Sequence, residues 1–264
     1  MNRTFDALIR LIAGLEGIES IGKTGCKEFP AANDGDVDIF IYCGEVPDVE
    51  TRKKLYGSVD DILNIRIHDF ESRHWGTLDS LFIDGVEICL MYFSVEKTKK
   101  EIDDILNGER LIKEDNYFYP AGRCAALKNI NILFDRHGFL ESMRILLSVY
   151  PEKFRNKILE YNMPELNDTE DLDRAAENQD VLFYHFALDI SLDHYLQLLF
   201  AINDSFFPSR KRSLLYVKDF KNKPDNCVQR ILEIIELGGN AGTVGESCEK
   251  WKKLCGETFS GYMK

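Results

Sequence analysis

Two acids two residues apart, Asp36 and Asp38, open the apolar run DVDIFIYC, and that spacing has a chemistry. Alternate residues of a β-strand share a face, so both carboxylates would point the same way with Cα atoms about 7 Å apart, while Val37, Ile39 and Ile41 turn into a core. Two carboxylates on one face chelate a divalent cation. A third acid would let the site hold two ions, and GVEICLMYF supplies Glu87 between Val86 and Ile88 on a strand expected in the same sheet; Asp84, in the turn before it, competes for the role. Without cations such carboxylates repel by roughly 3 kcal/mol per pair at about 6 Å and an effective dielectric near 20, so the arrangement is tolerable mainly when cations occupy it. The other reading of Asp36 and Asp38 is a polar turn, because NDGD is also good turn sequence.

A second motif overlaps the first. Gly17, four residues, then Gly22, Lys23 and Thr24 match the phosphate-binding P-loop pattern. A P-loop needs a strand before the glycines and a long helix after them, with the helix N-terminus aimed at the phosphates. Here IESI, between the glycines, is itself strand-like, and Pro30, Asn33 and Gly35 cut short any helix after Thr24. The context therefore opposes a P-loop.

The elements around these residues follow from periodicity. Phe5, Leu8, Ile9, Ile12 and Leu15 fall at helical spacing over residues 4–15, behind Thr4 as a potential cap. Strands are expected over 18–21, 37–42, 62–67, 80–83 and 86–93, with a short helix in PDVETRKKLYGS and a capped helix in SVEKTKKEIDDILNG. From Pro120 onward the chain reads as helical, AGRCAALKNINILFDR included. The expected fold class is α+β: a small mixed-sheet unit over residues 1–110, followed by an all-helical bundle over 111–264.

Bulk properties narrow the partners. A chain of 264 residues, 44% hydrophobic, can bury a core without disulfide staples. Seven cysteines, none in a CxxC pair, read as buried reduced thiols. No apolar run approaches the roughly 20 residues that span a bilayer, and the first residues lack a signal peptide's apolar stretch, so a cytoplasmic protein with no membrane partner is expected. The net charge of -12 repels polyanions, which opposes a broad grip on nucleic acid and suits a cationic or neutral small substrate.

A glycine-rich turn after a strand, D-x-D opening a second strand, and a single acid inside a later apolar strand together form a pattern that resembles the polymerase-beta-like nucleotidyltransferase superfamily. NILFDRHGFLESMRILLSVYPEKF and YLQLLFAINDSFFPSRKR look like segments of bacterial nucleotidyltransferase-like proteins, relatives of the aminoglycoside and lincosamide nucleotidyltransferases, which carry a helical bundle behind the catalytic domain. The chain departs from the usual pattern in having GKTGC where glycine-serine is expected and Gly35 where a serine often precedes the acids. The resemblance implies that Gly22, Thr24 and Gly25 form a phosphate-binding turn and that Asp36, Asp38 and Glu87 are the catalytic residues and the ligands of two Mg2+ ions. It implies transfer of a nucleoside monophosphate from an NTP, with ATP the expected donor, to a small-molecule, antibiotic-like acceptor, with release of pyrophosphate. Protein AMP-transfer is a close variant. A non-catalytic nucleotide-binding or regulatory module on the same fold is the alternative, motivated by the altered glycine turn.

A triphosphate also needs cations from the protein. Arg210 and Lys211, in the densest basic cluster of the chain, are the candidates, against the reading of a solvated helix start. Arg73 and His74, in RHWG, are a second pair of candidate substrate contacts. His185, Asp189 and Asp193 recur every fourth position in an expected long helix, a spacing that reads as a wet face opposite Phe186, Ile190 and Leu199 before it reads as a metal site.

Overall fold

The helical spacing near the start of the chain is realised as α1 (Arg3–Ala13), which buries Phe5, Leu8, Ile9 and Ile12. Its cap is Asn2 rather than Thr4: the Asn2 side-chain oxygen accepts the Phe5 N–H at 3.0 Å, and Thr4 lies inside the first turn. The computed structural model describes residues 2–25, 29, 35–72, 74–114 and 118–262. It divides into two units, one of Met1–Asp104 with Ala126–Val149 and one of Ile105–Ala125 with Tyr150–Lys264.

Among the described residues the first unit is built on six strands: β1 (Ile18–Lys23), β2 (Asp36–Cys43), β3 (Ile62–Ser72), β4 (Gly76–Ile83), β5 (Val86–Ser94) and β6 (Asn131–Asp135), in the spatial order β3-β4-β5-β2-β1-β6. All neighbours are antiparallel except β2 and β5, which run parallel at the centre. Central strands are covered on both faces, which is why DVDIFIYC and VEICLMYF are nearly continuous apolar runs. Val37, Ile39 and Ile41 of β2 and Ile88, Leu90 and Tyr92 of β5 join Leu8 and Ile12 of α1 in the core. On the other face Phe40 and Tyr42 pack on Phe93, and Tyr42 on Phe139 of α5 (Phe139–Leu146).

Helix α2 (Val49–Tyr56), capped by Asp48, fixes a buried polar network on the core side. Arg52 is 2% exposed and Asp79 of β4 is fully buried, and the two form an ion pair. Asp79 also accepts the Tyr56 hydroxyl at 2.7 Å and the His68 backbone N–H at 2.8 Å. Because the single Tyr56 proton goes to Asp79, the Tyr92 hydroxyl, 2.6 Å away, donates to Tyr56. Burial pushes both tyrosines far above their ordinary range, so they remain neutral donors.

The stretch NILFD, read as helical from the sequence, is strand β6. It follows α4 (Pro120–Asn129) after the single residue Ile130 and pairs with the outer side of β1. Ile132, Leu133 and Phe134 suit a pleated surface, and the unpaired edge of β1 supplies the ladder partners that a local helix reading cannot anticipate. Asp135 ends β6 by accepting the Ser20 hydroxyl at 2.5 Å and the Glu141 N–H at 3.0 Å, which ties the strand to the first turn of α5. The segment 126–149 thus belongs with the sheet, beyond the single boundary expected near residue 110.

The fold class is α+β, a mixed sheet followed by a helical region. Helix α3 (Val95–Leu106) leaves the sheet, with the Ser94 hydroxyl accepting the Lys97 N–H at 3.4 Å. The second unit contains α6 (Glu152–Asn167), α7 (Glu170–Glu177), α8 (Val181–Ala201), α9 (Ser213–Val217), α10 (Cys227–Gly238) and α11 (Val244–Phe259) around a core that includes Tyr184, Tyr195, Phe200, Trp251 and Phe259. Among the described residues no helix is long and apolar enough to cross a membrane.

Candidate functional site

Strand register decides which side chains meet. In the parallel β2–β5 pair Asp36 stands opposite Glu87 and Asp38 opposite Cys89, so all four fall on the sheet face that also carries Phe40 and Phe93. The antiparallel β5–β4 and β4–β3 pairs extend this into two rows across the sheet. One runs Asp36, Glu87, Phe82; the other runs Asp38, Cys89, Ser80, Arg66. The aromatic packing covers the far ends of β2 and β5, while Asp36 at the near end is exposed and Asp38, Glu87 and Cys89 are half-buried.

Ligand atoms of Asp36, Asp38 and Cys89 lie within 4.8 Å of one another. The third member of this close set is therefore a thiol, while Glu87 is drawn the other way: Arg66 Nη2 donates to its Oε1 at 2.8 Å. Arg66 also reaches Asp69 at 3.5 Å. Burial first, and then the negative charges of Asp38, Glu87 and Asp36, push the Cys89 thiol up to about 12. The same three charges thus act on one sulfur, which places Glu87 in the electrostatic neighbourhood of the aspartates although Arg66 holds its carboxylate.

Cys89 is the residue the sequence reading missed. The five other described cysteines are buried and outside any disulfide, as expected, and Cys26 lies outside the described residues. The signal was present in EIC: two residues after Glu87 on a strand, Cys89 must share its face.

The glycine turn divides into unlike positions. Gly22 and Lys23 belong to β1, so the P-loop match is strand rather than phosphate loop at that point. A Cβ on Gly22 would stand 2.3 Å from Ile130 Cδ1, 2.5 Å from Ile130 Cγ1 and 3.2 Å from Leu140 Cδ1. Glycine is needed here for close packing. The Thr24 N–H donates to the Asp38 carbonyl at 3.0 Å, continuing the β1–β2 ladder. Gly25, with φ +77° and open space around its Cα, has the turn conformation that favours glycine. Gly22→Ala is expected to destabilise the first unit by about 1–3 kcal/mol through overpacking against Ile130, read as a lowered urea midpoint. Weakened nucleotide binding with an unchanged midpoint would instead assign Gly22 to the phosphates.

Arg210 and Lys211 lie in the second unit. Arg210 forms an ion pair with Asp189 and, at 3.2 Å through Nε, with Asp193. Lys211 is exposed. Asp193 departs from the wet-face expectation: it is 6% exposed and also accepts Lys113 Nζ and the Tyr119 hydroxyl, each at 2.8 Å. Conversely Phe186 and Ile190 are exposed, at 60% and 45%. Two cations and one hydroxyl satisfy the buried aspartate, and this tertiary satisfaction overrides the helical periodicity. Arg73 lies outside the described residues, and His74 is half-buried in the turn before β4.

Residues 119–212, less than half of the chain, match a family described as a domain of unknown function, DUF4037. No curated protein matches the chain. Among solved structures the chain is similar to the crystal structure of a nucleotidyltransferase-like protein from Exiguobacterium sibiricum 255-15, with 11% identity and a TM-score of 0.47 over 98% of this chain and 75% of that one.

Proposed function

We propose that the acid end of β2 and β5 is the metal centre of a nucleotidyltransferase that moves a nucleoside monophosphate from a nucleoside triphosphate, with ATP the expected donor, to a small-molecule acceptor. The observation that carries this reading is the register that sets Asp36 beside Glu87 and Asp38 beside Cys89 on one face, at the end of two strands whose other ends are covered by aromatic packing. The donor set fits a divalent cation, because two of the three converging ligands are carboxylates. Asp36 and Asp38 would hold magnesium, which when bound neutralises phosphate charge and stabilises the attacking and leaving oxygens. Glu87 would take the acceptor's proton as the acceptor oxygen or nitrogen attacks the α-phosphorus; pyrophosphate leaves with the electrons of the broken P–O bond. Asp38 is held in place by the ladder bond from Thr24. The net charge of -12 supports a cationic acceptor.

The test is pyrophosphate release with each of four nucleoside triphosphates, Mg2+ and a panel of aminated and hydroxylated small molecules. Release that requires one nucleotide and one acceptor class supports the reading. A nucleotide-binding protein that releases none with any pair is a module without turnover.

That second reading has an observation of its own, the Arg66–Glu87 ion pair, which already neutralises the third carboxylate. Arg66→Ala separates the two. The pair is about half exposed on the Arg66 side, so its loss should change stability by less than about 1 kcal/mol. If Glu87 serves the metal, calorimetric titration of the variant should show Mn2+ binding severalfold tighter than in the wild type. Unchanged Mn2+ affinity would favour the module.

A further inference from the structure

Two kinds of donor converge on the acid end of the sheet, carboxylates from β2 and a thiol from β5, and magnesium has little use for the second. Mg2+ demands six oxygen ligands in near-octahedral geometry, whereas thiolates select softer cations of the zinc class. Zinc-class ions accept mixed sulfur and oxygen sets at about 2.3 Å and 2.0–2.2 Å, which puts ligand atoms roughly 3.5 Å apart around one ion. The ligand atoms of Asp36, Asp38 and Cys89 lie within 4.8 Å of one another, so modest side-chain rotation closes them on a single centre. Three protein ligands with a fourth position left for water or substrate is the open form of such a site.

We infer that Cys89 is a ligand of the cation site and that its sulfur gives the site a preference for a thiophilic divalent cation over magnesium. This rests on the reading that Asp36 and Asp38 hold a cation, and it deepens that reading by replacing magnesium with a softer class of ion as the preferred occupant. Binding forms a metal–sulfur bond, breaks the S–H bond, and passes the proton to solvent. Glu87, turned toward Arg66, is left outside this first set. Cys89 is positioned for the role by its neighbours in the row, Asp38 on one side and Ser80 on the other.

Cadmium is the probe, because sulfur-to-cadmium charge transfer gives an ultraviolet band that carboxylates alone do not produce. Titrating the full chain with Cd2+ should raise one band that saturates at one equivalent. In Cys89→Ser the band should vanish and Cd2+ affinity should fall at least tenfold. Cys89→Asp exchanges sulfur for oxygen and should reverse the order of preference, with Mg2+ binding at least tenfold tighter than in the wild type and no band. Mn2+ titration of the wild type and of Asp36→Asn/Asp38→Asn is run in parallel. If the band is absent, or survives in Cys89→Ser, while Mn2+ binding still depends on the two aspartates, Cys89 is not a ligand and the functional reading stands without it. If no divalent cation depends on Asp36 and Asp38, both fall together.

Discussion

Asp79→Ala should lower the stability of the first unit by about 3–5 kcal/mol, the cost of leaving a buried charge without its partner. The variant strands Arg52 at 2% exposure and removes the acceptor of the buried Tyr56 hydroxyl, a donor that costs about 1–3 kcal/mol when unpaired, and of the part-buried His68 N–H. These losses overlap, and the whole is a large share of the roughly 5–15 kcal/mol that holds a domain together. Removing both charges together, Arg52→Met with Asp79→Leu, should cost less than Asp79→Ala alone, because no unpaired charge remains. The two tryptophans, Trp75 and Trp251, fall one in each unit, so Trp251→Phe leaves a fluorophore that reports on the first unit during urea unfolding. A loss under about 1 kcal/mol for Asp79→Ala would show that the network does not anchor α2 to the sheet.

Asp38→Asn should do the opposite: abolish function and spare the fold. Removing one carboxylate from the cation site is expected to reduce transfer by a factor on the order of 10²–10³. Stability should hold or rise by up to about 1 kcal/mol. Repulsion between carboxylates about 5 Å apart is near 3 kcal/mol at an effective dielectric of about 20, and solvent at this open strand end screens most of it. Chemical denaturation and pyrophosphate release on the same preparation check both halves. A variant that unfolds would make Asp38 a structural residue and remove the basis of the enzyme reading.

Much of the site was legible because strands impose a period of two. D-x-D had to share a face, and Glu87 had to face away from Val86 and Ile88. The pairing of β2 with β5 was not legible: a parallel partner 51 positions away is chosen by the sheet as a whole, and nothing local in either strand specifies the register of Asp36 with Glu87. Cys89 was overlooked for a different reason. A thiol in an apolar strand reads as core until its neighbour across the sheet is known to be an aspartate. NILFD was misread because the adjoining AGRCAALKN is truly helical and the strand continues it after a single residue, Ile130. Asp193 was misread because its burial on α8 follows its ion pairs to Lys113 and Arg210 rather than hydropathy. Arg66 could not have been singled out, since its approach to Glu87 depends on two intervening strand registers.

The central claim is that Asp36 and Asp38 bind a nucleotide through a divalent cation, and a thermal-shift titration tests it most directly. The wild type and Asp36→Asn/Asp38→Asn are each melted with ATP, GTP, CTP or UTP, with and without Mg2+ or Mn2+. A nucleotide at a hundredfold over its dissociation constant stabilises by about 2.7 kcal/mol, a rise of several degrees for a chain of this size. The expected result is a rise with at least one nucleotide that needs the cation and disappears in the double variant. A cation-dependent rise of equal size in the double variant, or no rise with any nucleotide in folded wild-type protein, would contradict it.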